Sequence, residues 1–320
     1  MSADENKQVC SRFIKPEKLA DLRNKQEIEV MNGRPWTRAL PPPPVLPPYG
    51  PLEKISGQLE SFSSECFREY FGPDAYRTST LPEMSDGQRG AAAAAAIAAG
   101  SPGAGAAIMA DSESSNSTAE YVQGVINGKP FRGWVGRTRL QAGDHVDMIA
   151  EWQHDHYEVY AIALPEERVV SVCPQCDKGH IAHMVWRIKN MFILTLILLL
   201  MMITAGGIDE VIKGEWKGVS NFFSTYLWLY MMALCASFFI AGLMAYCAYK
   251  AYAPTCCKLA EEVYYLLGME KVSTVNLSEI TKKREQQLIE KGLWYDPGDK
   301  TKPACPSARF IYSGEYWFYY

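Results

Sequence analysis

The residues best suited to chemistry lie close together, at Cys173-Pro-Gln-Cys176 followed by His180 and His183. A Cys-x-x-Cys pair can chelate zinc from a tight turn, and two histidines could complete a tetrahedral Cys2His2 site. The spacing is compact: the whole set spans about 11 residues, and the histidines sit closer than the three to five intervening residues usual for such sites. The competing reading is a turn with reduced thiols. Cys173, Cys176, His180 and His183 are therefore the candidate metal ligands, with zinc as the one cofactor considered. A redox role for the pair lacks the surrounding βαβ pattern it would need. His154-Asp155-His156 falls between two predicted strands and reads as a polar turn. No P-loop, G-x-G-x-x-G, G-x-S-x-G or His-Glu-x-x-His motif occurs, so no catalytic or cofactor-binding residue is assigned and the chain is expected not to be an enzyme.

The elements that must position these residues are mostly strands. Residues 120–173 hold the clearest pattern. Two β-rich runs flank Asn127-Gly128, a strong hairpin signal. LQAGDHVDMIAEW and HYEVYAIALP form another strand–turn–strand about Gln153–His156, and EERVVSV reads as a last short strand. With the alternating run KISGQLESFSSECF, this makes about five or six short strands, suited to a small barrel of the OB or SH3-like size class. Phe131, Trp134, Trp152, Tyr157 and Tyr160 read as core and rim packing. A nucleic-acid stacking platform would need basic neighbours, and a net charge of −4 supplies no basic footprint. Nucleic acid is thus not an expected partner.

Two uncharged apolar segments follow, Met191–Ile208 and Phe222–Tyr249. A spanning helix needs about 20 apolar residues, so the spacing predicts a transmembrane hairpin over residues 191–250. Arg187 and Lys189 before it, and Lys250 and Lys258 after it, favour both termini in the cytoplasm. Gly206, Gly207 and Gly242 leave room for the hairpin to form homo-oligomers within the lipid bilayer.

The expected organisation is a Pro-rich disordered segment at 1–50, a soluble β-domain at 51–173, a membrane-proximal connector at 174–190, the hairpin (191–208 and 222–249), and a cytoplasmic α/β region at 251–320. Within the β-domain, residues 90–110 form an Ala/Gly-rich insertion. Within the first segment, Pro16 to Asn32 suits a short helix, and ALPPPPVLPPYGP suits a stiff polyproline II spacer or a docking ligand. In the last, KLAEEVYYLLGMEK predicts a helix stopped at Gly268. Asn276 or Ser278 caps another. The aromatic tail SARFIYSGEYWFYY suits an added strand or a membrane surface. The fold class expected is therefore an α+β membrane protein with a barrel-like soluble domain. The nine cysteines suit a reducing compartment better than a disulfide scaffold.

The order of these features is familiar. An opening KISGQLE strand, the Ala-rich insertion, NGKPFRGWV, GDHVDMIAEWQHDHYEVYAIALP, the hairpin and LGMEKVSTVNL resemble a family of bacterial membrane proteins labelled type VI secretion system effectors. The likeness covers Leu52 to Tyr320 in pieces and is most specific over Gly143–Pro165. It implies a Gram-negative bacterium, an inner-membrane location and a contact-dependent secretion context, but no catalytic residues. The function expected is a membrane-acting, non-enzymatic effector. The alternative is a resident immunity or accessory protein whose β-domain binds a toxin or an apparatus component.

Overall fold

Asn127-Gly128 adopts the left-handed backbone that its type permits, with φ of 51° and 72°. Such a turn matches the twist of paired strands, and here it joins β2 (Asn116–Ile126) to β3 (Lys129–Val135). The computed structural model describes residues 16–46, 48–71, 116–212, 254–293 and 317–320, with scattered positions between 232 and 246. The Ala/Gly-rich insertion at 90–110 lies outside the described residues.

β1 (Glu53–Tyr70) serves two partners. Its first part pairs with β4 (His145–Gln153), and from Leu59 onward it pairs with β2, with a register shift between Leu59 and Ser61. β4 turns back at His154, which holds φ of 45°, into β5 (His156–Leu164). β5 then runs parallel to β3, with Phe131 opposite Tyr157 and Gly133 opposite Val159. That last pairing closes five strands, β3-β2-β1-β4-β5, into a barrel, the size and Greek-key closure of OB-type folds. β6 (Val169–Val172) and β7 (Phe318–Tyr319) extend the sheet beyond β5.

The barrel interior follows from alternation. Leu59, Val122, Ile126, Phe131, Met148 and Val159 point inward and are buried together. The closing seam requires Gly133: a Cβ there would lie 2.3 Å from the Val159 carbonyl oxygen.

Residues 16–46 and 48–52 lie against the barrel wall. α1 (Leu19–Met31) buries Leu19 and Leu22. The Arg23 guanidinium donates to the Pro41 carbonyl at 3.2 Å and the Trp134 indole donates to the Pro42 carbonyl at 3.0 Å. Further along, the Tyr49 and Leu52 amides donate to Glu151 and Glu262. The proline-rich run is thus a hydrogen-bonded strap over described residues, where a disordered spacer was expected. Among the cysteines, Cys66 is held in a disulfide, which corrects at that position the expectation of reduced thiols.

After β6, the connector is tied to α3 (Pro254–Leu266) and α4 (Leu277–Glu290). The Tyr264 hydroxyl donates to the Cys176 carbonyl at 2.8 Å, and the Leu277 amide donates to the Asp177 carbonyl at 3.0 Å. Asn276 caps α4 by accepting from the Glu279 amide. Gly268 ends the preceding segment at φ of 77°. The aromatic tail becomes β7, whose Tyr319 amide donates to Thr281.

Residues 180–254 form a separate unit. Its first helix, α2 (His180–Ile212), begins well before the predicted span and carries Arg187 and Lys189 in its first half. The expected membrane fold class is corrected here. Among the described residues, no helix is long and apolar enough to cross a membrane. Along α2, the described apolar side chains Phe192, Ile193, Leu196, Ile197, Leu200 and Met201 are exposed. Phe192 stacks on Phe238 with centroids 4.1 Å apart. Much of 222–249 lies outside the described residues. The multi-pass inner-membrane location with both termini cytoplasmic depended on that hairpin and is corrected with it.

Candidate functional site on the outer face of the barrel

Strand pairing sets the outer side chains of β1, β2 and β3 in cross-strand rows. Ser61, Val125 and Pro130 share one row. Ser63, Gln123 and Arg132 share the next, and Glu65, Tyr121 and Trp134 the third. The middle row continues across the closing seam, where Arg132 is level with Glu158, and Glu158 faces Glu151 on β4.

The first two rows border a cleft of about 450 Å³. Ser61, Ser63, Gln123 and Arg132 line it from the strands, and Asp155 and His156 from the β4–β5 tip. Its polar atoms are hydroxyls, an amide, a guanidinium and an imidazole–carboxylate pair. The floor is pinned by close backbone approach, since a Cβ at Gly124 would lie 2.1 Å from the Ser61 carbonyl.

The charges are paired. Arg132 Nε lies 3.9 Å from Glu158 Oε2. His156 Nδ1 is 2.6 Å from Asp155 Oδ1, and its Nε2 is 3.4 Å from Glu158 Oε2. Both imidazole nitrogens therefore face carboxylates. Glu158 is only 5% exposed. Burial pushes its carboxyl up to about 7, with Arg132 opposing and Glu151 adding to the rise. Asp155 is held below the usual carboxylate range, chiefly by its hydrogen bond with His156.

The third row is aromatic and covered. Trp134 meets Tyr121, Phe71 and Phe67 at centroid distances of 5.2, 5.9 and 6.3 Å. The strap crosses this end.

The predicted metal ligands fare differently. Cys173 and Cys176 are buried in a tight turn, with the Cys176 amide donating to the Cys173 carbonyl and Gln175 at φ of 68°. Cys176 then meets the Cys256 carbonyl at 3.7 Å. His180 and His183 belong to α2 in the other unit, where the His183 ring lies 6.0 Å from Trp186. Among the described residues, no group of three or more His, Cys, Asp or Glu side chains is placed to hold a metal ion.

Sequence reasoning placed His154-Asp155-His156 at a turn but missed Gln123, Arg132 and Glu158 as their neighbours. The available signal was His156-Tyr-Glu158-Val-Tyr160, whose alternate polar side chains mark one strand face. Comparison with protein-family models, characterised proteins and solved structures finds no match. The resemblance to type VI secretion effectors rests on its motif residues alone.

Proposed function

We propose that this protein is a non-enzymatic binding module that serves a type VI secretion system, its barrel gripping a polar segment of a toxin or an apparatus component. The observation that carries this reading is the cleft over Ser61, Ser63, Gln123 and Arg132. It offers donors and acceptors on a rigid strand surface, the arrangement that recognises a polar partner by hydrogen bonds. OB-type barrels use the same strand face and the same β4–β5 tip to hold extended ligands. Arg132 is the one Lys or Arg among the described lining residues and Asp155 lines the cleft beside it, so the surface carries little net positive charge, which favours a polypeptide over nucleic acid. The engagement of both His156 nitrogens with carboxylates supports binding over catalysis, because a general base needs a nitrogen aimed at the proton it takes. The secretion context is supported by the Gly143–Pro165 motif and its neighbours.

The test uses the full chain, immobilised, against the toxins and apparatus components encoded beside it. The wild type should retain one of them. The double variant Ser63→Ala, Gln123→Ala should bind it on the order of tenfold more weakly, through loss of two hydrogen bonds. Equal binding by both proteins, or none by the wild type, would sink the proposal.

A further inference from the structure

The aromatic row and the strap crossing it fit one another in a way that packing alone does not require. A polyproline II segment makes no internal hydrogen bonds, so its carbonyls are open to outside donors. Proline-recognising grooves exploit this with aromatic walls and side-chain donors aimed at those carbonyls. Both features are present. Consecutive carbonyls at Pro41 and Pro42 accept from Arg23 and from the Trp134 indole. Tyr121 and Phe67 flank the indole. Pro41 is buried, while the flanking Pro42 and Pro43 stay exposed. At the far end the Tyr49 amide reaches Glu151 at 3.1 Å.

A second observation points to a ligand. The Tyr160 hydroxyl is within electrostatic reach of Glu151 and Tyr49. It is buried and has no hydrogen-bond partner among the described residues. A buried hydroxyl left unpaired costs free energy, and among the described residues nothing satisfies this one.

We infer that the groove over Trp134, Tyr121 and Phe67 is a recognition site for proline-rich segments in the polyproline II conformation. In this structure the site is filled by the chain's own strap, within Ala39–Leu46. It also takes such a segment in trans. This site is distinct from the open polar cleft and does not depend on the function proposed for it. Because a tethered segment competes at an effective concentration in the millimolar range, the cis strap masks the groove from weak external ligands.

The probe is a labelled peptide of sequence ALPPPPVLPPYG, titrated by fluorescence anisotropy into the full chain. A strap variant with Pro41, Pro42, Pro43 and Pro44 all replaced by serine should bind it at least tenfold more tightly than wild type. Adding Trp134→Phe, which keeps the ring and removes the N–H, should weaken that binding about fivefold. A peptide with every proline replaced by serine should not bind. A strap variant that keeps its circular dichroism and cooperative unfolding, yet binds the peptide no better than wild type, overturns the proposal. Should that variant fail to fold, hydrogen exchange on the wild type decides. Excess peptide should speed exchange of the Tyr49 amide by releasing it from Glu151, and unchanged exchange at millimolar peptide overturns the inference. A dimer formed by exchange of straps between copies supports it, since the groove then holds a segment in trans.

Discussion

The two ends of one barrel face differ although the same three strands build both. At the Ser63–Gln123–Arg132 row the outer side chains are polar, and the surface is an open cleft. Two residues along each strand, at Glu65–Tyr121–Trp134, the row is aromatic and lies under the strap. The backbone frame is shared, so the difference comes from side-chain type. An exposed indole and its neighbours would present a large apolar patch, and the chain covers it with proline, which loses little conformational entropy on ordering. The serine–glutamine row needs no cover, because water satisfies it.

This contrast predicts unequal costs. Trp134→Ala should be the most damaging change, losing about 4 kcal/mol of stability through cavity formation and loss of the Pro42 hydrogen bond. Urea unfolding measures it. A loss under about 1 kcal/mol would mean the aromatic end contributes no more than the polar end. Gly133→Ala comes next. Its Cβ would meet the Val159 carbonyl oxygen at 2.3 Å and the Val159 amide nitrogen at 2.8 Å. Both are backbone atoms at the closing seam, so β3 and β5 must separate. We expect about 3 kcal/mol of destabilisation, read from the thermal midpoint. A neutral outcome would show that the barrel tolerates an open seam.

How much of this was legible beforehand depended on range. Asn127-Gly128, the Gly268 stop and the Asn276 cap are local signals, and the structure has a turn, a helix end and a cap at those residues. The strand runs gave a small barrel, since alternation alone sorts Val122, Ile126 and Phe131 inward. The seam between β3 and β5 was not legible, because nothing local marks Gly133 as the point where parallel strands meet. The cleft was hidden for the same reason. Gln123, Arg132 and His156 are far apart in sequence, and only the register brings them level. The strap was read as a spacer because a proline run looks alike whether free or docked. The apolar run after Lys189 was read as a membrane span on composition alone. Among the described residues no helix is long and apolar enough to cross a membrane. His180 and His183 were grouped with Cys173 and Cys176 by proximity in sequence, yet the chain passes into a different unit between them.

The smallest of the three effects separates the seam's charge pairing from its packing. Glu158 is buried where the polar row crosses from β3 to β5, and its carboxyl titrates at about 7 against 4.5 when exposed. The folded state therefore holds the proton more tightly than the unfolded chain. Stability from this group is complete below about pH 4.5 and is lost as pH rises through about 7. Replacing the carboxyl by an amide removes that titration and keeps the shape. Glu158→Gln should match wild type near pH 4.5 and exceed it by about 2 kcal/mol near pH 8. Urea unfolding across that range is the measurement. A pH-independent difference would mean that Arg132, 3.9 Å away, holds Glu158 ionised throughout. In that case the polar row is an ion pair fixed at all pH, and the cleft beside it keeps one charge state. A difference that grows with pH instead makes Glu158 protonated in part at neutral pH. It can then donate to His156 Nε2 at 3.4 Å, and the open end of the face changes its hydrogen-bonding character with pH while the aromatic end does not.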